Sequence, residues 1–277
     1  MKKEYPHLET ERNGAVLIIR LANEAARNSL TREIRFSLRD VVREVQDDYS
    51  IRAIYLTAKG QTFCAGGDLR MLSNGSEPWP AHRRFRHAST LFPPLMTLDR
   101  PVVCGVRGMA VGGGFGLALM ADSIVATQDA KFMAGFFRLG VVPDCLTLFT
   151  LPRLVGLAKA RNFFYSNATW TAQDALENGV VSKIVDDDQL DIEGLALAQR
   201  YAEGPAQVMG LAKTILLKSF ESSLDEMMGY ENLAQVLAQS GPEFNEGLNA
   251  LKEKRRAEFM RASNVANNHD GMSSFEG

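Results

Sequence analysis

Cysteine is scarce in this chain of 277 residues: Cys64, Cys104 and Cys145 are the only 3, an odd number spread far apart. That usage excludes a disulfide framework and a CxxC metal or redox pair, and it predicts buried, inert thiols in a reducing cytoplasm. The 4 histidines show neither HxxxH nor HExxH spacing, so no metal is expected. Long apolar runs are absent too. Nothing approaches the ~20 residues that span a bilayer, and the charged start Met1-Lys2-Lys3-Glu4 leads into no signal-type apolar core. Nor does either sign of charge prevail: 31 basic against 33 acidic residues leave a formal net charge of -2. No general attraction to nucleic acid or to an anionic membrane follows from that balance. Neither GxxxxGK(S/T) nor GxGxxG occurs, which removes the usual nucleotide fingerprints.

What the chain does have is apolar sequence, 45% of its residues, enough for a sizeable core. Residues Ala15 to Leu21 read as a buried strand after an Asn13-Gly14 turn. Thr31 caps a predicted helix to about Asp48, with Ile34, Leu38, Val41, Val42 and Val45 at helical spacing. Further strands are predicted at 53–57, 101–106 and 123–127, and their alternation with helices indicates parallel crossover units in an α/β core. Beyond Pro152 the pattern is mainly helical, over 156–165, 171–177, 188–202, 205–219, 223–239 and 242–260, with one short strand at 180–185. The chain therefore divides into an α/β body over 1–200, a helical C-terminal region over 201–262 and a polar tail over 263–277, expected to be disordered.

Two glycine-rich turns carry the chemistry. Phe63-Cys64-Ala65-Gly66-Gly67-Asp68 follows the strand at 53–57, and Gly112-Gly113-Gly114-Phe115-Gly116 follows the strand at 101–106. Glycine lets a backbone turn sharply and lets a ligand reach its N–H groups with no Cβ in the way. Each turn leads into an apparent helix, whose first N–H groups are unpaired and partly positive. Two such groups brought together make an oxyanion hole for a thioester oxygen. Taken singly, either turn reads as no more than a tight strand-to-helix junction.

Together with Val106-Arg107-Gly108-Met109-Ala110-Val111, the pair resembles the oxyanion motifs of the crotonase (enoyl-CoA hydratase/isomerase) superfamily. The likeness continues through Ala121–Ala126, Leu139-Gly140-Val141-Val142-Pro143-Asp144, Leu151–Gly156 and Ala172–Val181, and spans roughly residues 8–260. It implies a crotonase-like α/β spiral of ββα units with a helical C-terminal region, assembled as a trimer or a dimer of trimers. It also implies an acyl-CoA thioester as substrate, with coenzyme A part of that substrate and no separate cofactor. By the same resemblance the N–H groups of Gly67 and Gly113 are the oxyanion donors. Arg27 lies near the CoA phosphates, the Ala65 carbonyl meets the adenine amino group, and Lys254 reaches CoA in a neighbouring subunit. Asp68 falls among the expected CoA-binding residues, and its own position reads as the cap of a short helix.

Hydratases of that superfamily assign their two proton transfers to two glutamates. The matching positions here hold Gly116 and Phe136, neither of which carries a proton, so ordinary hydratase chemistry is disfavoured. Asp144, in Val142-Pro143-Asp144, resembles the acid/base of enoyl- and dienoyl-CoA isomerases. One carboxylate suffices when the proton taken from one carbon returns to another. Apolar neighbours such as Met133, Phe136 and Phe137 would desolvate it into a stronger base. On the residues alone, Asp144 also reads as the N-cap of a helix over 145–151. His82 and His87, on a predicted helix, read as solvent-facing, and His87 is a candidate for the acyl-pocket wall with Gly116 and Phe136. The predicted activity is double-bond isomerisation of an enoyl-CoA. An atypical hydratase or an acyl-CoA hydrolase, and a catalytically silent CoA-binding subunit, are the alternatives.

Overall fold

The fold starts from a hairpin whose second strand seeds a parallel sheet. The computed structural model of the chain describes residues 4–68 and 78–263. Strands β1 (Leu8–Asn13) and β2 (Val16–Leu21) pair antiparallel across a turn in which Gly14 takes the left-handed φ of 60°. The other strands described are β3 (Ala53–Ala58), β4 (Val102–Val106), β5 (Met109–Val111), β6 (Ser123–Thr127), β7 (Lys131–Met133), β8 (Thr169–Thr171) and β9 (Lys183–Val185). The main sheet runs β1-β2-β3-β4-β6-β9 and is parallel from β2 onward, while β5-β7-β8 form a smaller second sheet.

The early helices are α1 (Arg32–Asp47), α2 (Pro78–Ala88), α3 (Phe92–Met96), α4 (Gly113–Ala118) and α5 (Thr147–Val155). They are followed by α6 (Leu157–Tyr165), α7 (Ala172–Glu177), α8 (Leu190–Glu203), α9 (Ala206–Leu216), α10 (Leu224–Ser240) and α11 (Pro242–Glu253). Alternation along the strands decides which helix covers which face. Val16 and Ile18 share one core with Tyr55, Val103 and Val125 and with Leu190, Ala198 and Ala202 of α8. Leu17, Ile19 and Leu21 share the other with Ile54, Leu56 and Cys104 and with Ile34 and Leu38 of α1. A sheet covered on both faces needs strands that are apolar throughout, as the segments VLIIRL and AIYLTA nearly are.

Helix α1 follows its sequence closely. The Thr31 hydroxyl accepts from the Ile34 N–H at 3.4 Å, and all five residues of the expected apolar stripe are buried. Elsewhere the structure corrects the expectations. Strand β1 and the whole second sheet were not anticipated, and the helix expected to end near 260 stops at Glu253, where Lys254 takes a left-handed φ of 54°. The helix expected after Asp68 and the tail beyond 263 lie outside the described residues. No described helix is long and apolar enough to cross a membrane.

One buried ion pair joins the α/β body to the last helices. Arg52, 5% exposed, donates to the carbonyls of Ala202 and Gly204 at 2.8 Å each and to Glu243 at 3.0 Å. Glu243, 3% exposed, also accepts from the N–H groups of Gln207 and Val208 at 3.3 and 3.2 Å and from the Ser263 hydroxyl at 3.1 Å. Those two N–H groups belong to the first turn of α9, where a carboxylate satisfies helix donors that have no other partner. Removing one member of such a pair leaves the other charge buried and uncompensated. Glu243→Ala should therefore lose about 3–5 kcal/mol in urea unfolding, and Glu243→Gln should lose less, because its amide oxygen still accepts.

Candidate active site

The first glycine turn is anchored before it begins. Asn28 is fully buried, and its side-chain amide donates to the carbonyls of Lys59 and Thr62 at 2.9 and 2.8 Å while its oxygen accepts from the Asn23 N–H at 2.8 Å. This side chain clamps the 23–28 segment to the exit of β3. The chain then runs beside β5: the Phe63 N–H donates to Arg107, the Cys64 N–H to Met109, and the Val111 N–H back to Cys64, at 2.9 to 3.0 Å. Gly66 follows with φ of 89°, and its carbonyl accepts from the Leu30 N–H at 2.8 Å.

The second turn closes against the first. Gly112 has φ of 52° and donates its N–H to Met133 at 2.9 Å. Gly113 then opens α4, so its N–H has no acceptor within the helix. A Cβ on Gly66 would stand 2.6 Å from the Val111 carbonyl oxygen and 3.7 Å from the Gly113 nitrogen. The two turns thus touch, and only glycine at 66 permits it, for space and for φ. Gly67 is exposed, a Cβ there would meet nothing within 4 Å, and among the described residues no acceptor takes its N–H.

Asp144 approaches from the loop before α5. That helix begins at Thr147 with Leu146 as its N-cap and no side-chain capping bond, so the expectation that the Asp144 carboxylate caps it is not met. Two consecutive left-handed residues, Cys145 at 52° and Leu146 at 59°, turn the chain here and separate the carboxylate from the helix start. It is the main-chain carbonyl of Asp144 that accepts from Thr147, from the N–H at 3.0 Å and the hydroxyl at 2.8 Å. Burial pushes the half-buried Asp144 carboxyl upward from its ordinary value, although the neighbouring Cys145 side chain and the Arg35 charge on α1 pull the other way.

Cys145 also departs from expectation. Cys64 and Cys104 are buried as anticipated, whereas Cys145 is half-buried and stands against the glycine helix. A Cβ on Gly113 would lie 3.0 Å from its Sγ, and one on Gly116 would lie 2.7 Å from its carbonyl oxygen. Gly116 itself is buried inside α4, and Phe136, 8% exposed, sets its ring edge 3.7 Å from where a Gly112 Cβ would be.

The remaining candidates divide. Arg27 and Ala65 are neighbours, because the Ala65 N–H donates to the Arg27 carbonyl at 3.0 Å, and the Arg27 side chain is exposed. Asp68 is half-buried next to Gly67. His87 is exposed on α2, edge-on to Phe36 of α1 at 5.4 Å, and His82 stacks edge-on to Trp79 at 6.0 Å. Lys254 ends α11 and is exposed, and among the described residues no hydrogen bond or ion pair joins it to the turns. Asn28, Arg35 and Cys145 were missed. Cys145 could have been found from its place beside Asp144; Arg35 gives no signal, since a charged residue early in a helix reads as solvated.

Comparison with known proteins follows the same outline. The sequence model of the enoyl-CoA hydratase/isomerase family matches residues 11–262. The chain is 32% identical to the 1,2-epoxyphenylacetyl-CoA isomerase of Escherichia coli K12, over 88% of this chain and 94% of that one. It is 27% identical to a 4-chlorobenzoyl coenzyme A dehalogenase of an Arthrobacter species, over 96% of each. Other relatives carry the name of hydratase. Among solved structures, an enoyl-CoA hydratase/isomerase from Cupriavidus metallidurans CH34 superimposes with a TM-score of 0.88 at 30% identity, covering 93% of this chain and 97% of that one. With the two glycine turns in contact and a mixed α/β body leading to C-terminal helices, the chain has the crotonase fold and belongs to the enoyl-CoA hydratase/isomerase family.

Proposed function

We propose that the protein isomerises the double bond of an enoyl-CoA thioester, with Asp144 as the only proton carrier. The observation that carries this reading is a desolvated carboxyl on the loop that packs against the glycine helix, beside a second acid position that is closed. A side chain at 116 would collide with the Cys145 main chain, and position 136 holds a buried phenylalanine. In the reaction, the ionised carboxylate removes a proton from the α-carbon of a 3-enoyl thioester. The electron pair spreads over a dienolate with its charge on the thioester oxygen, which accepts from the N–H groups of Gly67 and Gly113. The new carboxylic acid returns the proton to the γ-carbon, and a 2-enoyl thioester leaves. No water is added and none is needed. Arg27 and Ala65, adjacent at the outer edge of the first turn, suit the CoA end, and Lys254 suits the same role from a second subunit.

Asp144→Asn should lower kcat on 3-hexenoyl-CoA by about 10²–10⁴-fold, while crotonyl-CoA should be hydrated slowly or not at all by the parent. Because burial raises the Asp144 pKa, kcat/KM should fall on the acid side at a pH above about 4, the ordinary carboxylate value. The same shift fixes the sign for stability. A carboxyl whose folded pKa is raised favours folding only when protonated, so at neutral pH its charge works against the fold. Asp144→Asn should therefore melt no lower than the parent. Rapid crotonyl-CoA hydration, or full activity in Asp144→Asn, would end this assignment.

The glycines give a second test. A Cβ at Gly67 meets nothing within 4 Å, so Gly67→Val should keep the melting temperature and lose acyl-CoA turnover by obstructing the site. Gly66→Ala places its methyl 2.6 Å from Val111 oxygen at a φ of 89° and should instead unfold at clearly lower urea.

The reading extends to assembly as a trimer or a dimer of trimers. Helix α10 has no buried residue, yet carries Leu224, Met228, Leu233, Val236 and Leu237 exposed, an apolar surface of the kind that marks an interface. Sedimentation should give a mass of three or six chains, and a stable monomer would contradict this.

A further inference from the structure

Gly113 faces two side-chain tips that the proton transfer does not use. A Cβ on Gly113 would stand 3.0 Å from the Cys145 Sγ and 3.1 Å from the Leu30 Cδ1, and among the described residues nothing else beyond the glycine's own turn comes within 4 Å of that point. The Cα–Cβ direction in a helix leans toward its start, the side to which its first N–H groups also point. The two tips therefore border the space in front of the Gly113 N–H. Neither is loosely held. Leu30 is buried, its N–H donates to the Gly66 carbonyl at 2.8 Å, and its backbone bridges Gly67. Cys145 is set by its left-handed φ of 52° and by its Cβ, which lies 2.8 Å from where a Gly116 Cβ would stand. One tip belongs to the first glycine turn and the other to the Asp144 loop.

Their separation decides what can pass. Two atoms 3.0 and 3.1 Å from one point are at most about 6 Å apart, whereas a carbon seated between them at ordinary contact distance needs about 7–8 Å. No methyl group fits. A thioester oxygen about 3 Å from the Gly113 nitrogen puts the acyl α-carbon only about 4–5 Å from that nitrogen. The dienolate is flat at its α-carbon, so one of the two α-substituents lies on the oxygen side, toward the tips. A hydrogen is accommodated there; a methyl strikes them.

We infer that Leu30 and Cys145 together are specificity-determining residues, which restrict the site to acyl-CoA thioesters unbranched at the α-carbon. This rests on the reading of the Gly113 N–H as an oxyanion donor. The tips act by steric exclusion, so their effect appears in the choice between branched and unbranched substrates. A purely packing role would change stability or overall rate and leave that choice where it was.

The test compares 3-hexenoyl-CoA with 2-methyl-3-hexenoyl-CoA, both of which keep an α-hydrogen and can be isomerised. The parent should favour the unbranched substrate by about 10–100-fold in kcat/KM. Cys145→Ala removes the Sγ and Leu30→Val removes the Cδ1, and each should shrink that preference about tenfold. The two substitutions lie on different elements, and a ratio of substrates still reports from a variant that is partly destabilised. A parental preference below about threefold, or one unchanged in both variants, overturns the inference. A readout independent of isomerisation is the binding of crotonyl-CoA and 2-methylcrotonyl-CoA, which are already flat at the α-carbon, measured by titration calorimetry. The branched ligand should bind the parent about tenfold more weakly, and Cys145→Ala should narrow that gap. Equal Kd values in the parent, or no binding of either ligand, overturn the inference. If the parent hydrates crotonyl-CoA and turns over no 3-enoyl-CoA, the isomerase reading fails. The same branched-to-unbranched ratio, read in hydration rates, then supports or overturns the wall by itself.

Discussion

Cys64 exchanges two main-chain hydrogen bonds with strand β5, giving its N–H to Met109 and accepting from Val111, both at 3.0 Å. This short parallel bridge holds two segments that are far apart in sequence at one spacing, and the glycine turns that follow them inherit it. The contact is then closed from both sides. A methyl on Gly66 would strike the Val111 carbonyl, and one on Gly114 would lie 2.5 Å from the Cys64 carbonyl. Glycine at these positions is set by backbone meeting backbone, before any ligand is considered. The free N–H at the start of α4 and the exposed Gly67 are consequences of that registry.

Against this rigid junction the Asp144 loop carries the electrostatic cost of the site. Its carboxyl is desolvated by burial and receives partial relief from the neighbouring Cys145 side chain and the Arg35 guanidinium. A folding optimum would neutralise or expose such a group. Keeping it there opposes stability at neutral pH and strengthens a base, which is the usual direction of the exchange at a proton-transfer site. The buried Arg52–Glu243 pair has the opposite character: both partners hydrogen-bond to main-chain groups as well as to each other, and its position between β3, α8, α9 and α11 serves the architecture.

Much of the body was legible because burial imposes periodicity. The α1 stripe and the apolar runs of β2, β3 and β4 are all covered, and each was readable in advance. Strand β1 was not, because LETERN lies on a sheet edge and leaves most of its side chains in solvent. Strands β5, β7 and β8 span three residues each, too few for an alternation to register. At the site, the glycines and Asp144 could be picked out by type. The arrangement around them could not: the left-handed pair Cys145–Leu146 has no glycine or asparagine to announce it, and the approach of Arg35 depends on how α1 docks.

That unannounced loop alters the meaning of Gly116. Taken as a residue, it is a lost carboxylate; taken with its neighbours, it is the surface on which the Asp144 loop rests. Holding two non-glycine residues in the left-handed region costs roughly 1–2 kcal/mol each. The Thr147 N–H and hydroxyl, both bonded to the Asp144 carbonyl, and the packing of Cys145 along Gly113 and Gly116 offset this. A larger residue at 116 would displace the loop and take Asp144 with it. The glycine that holds no carboxylate is therefore the same feature that allows the Asp144 loop to lie against α4. In the proposed reaction, a single proton carrier and a closed second position are two sides of one packing arrangement.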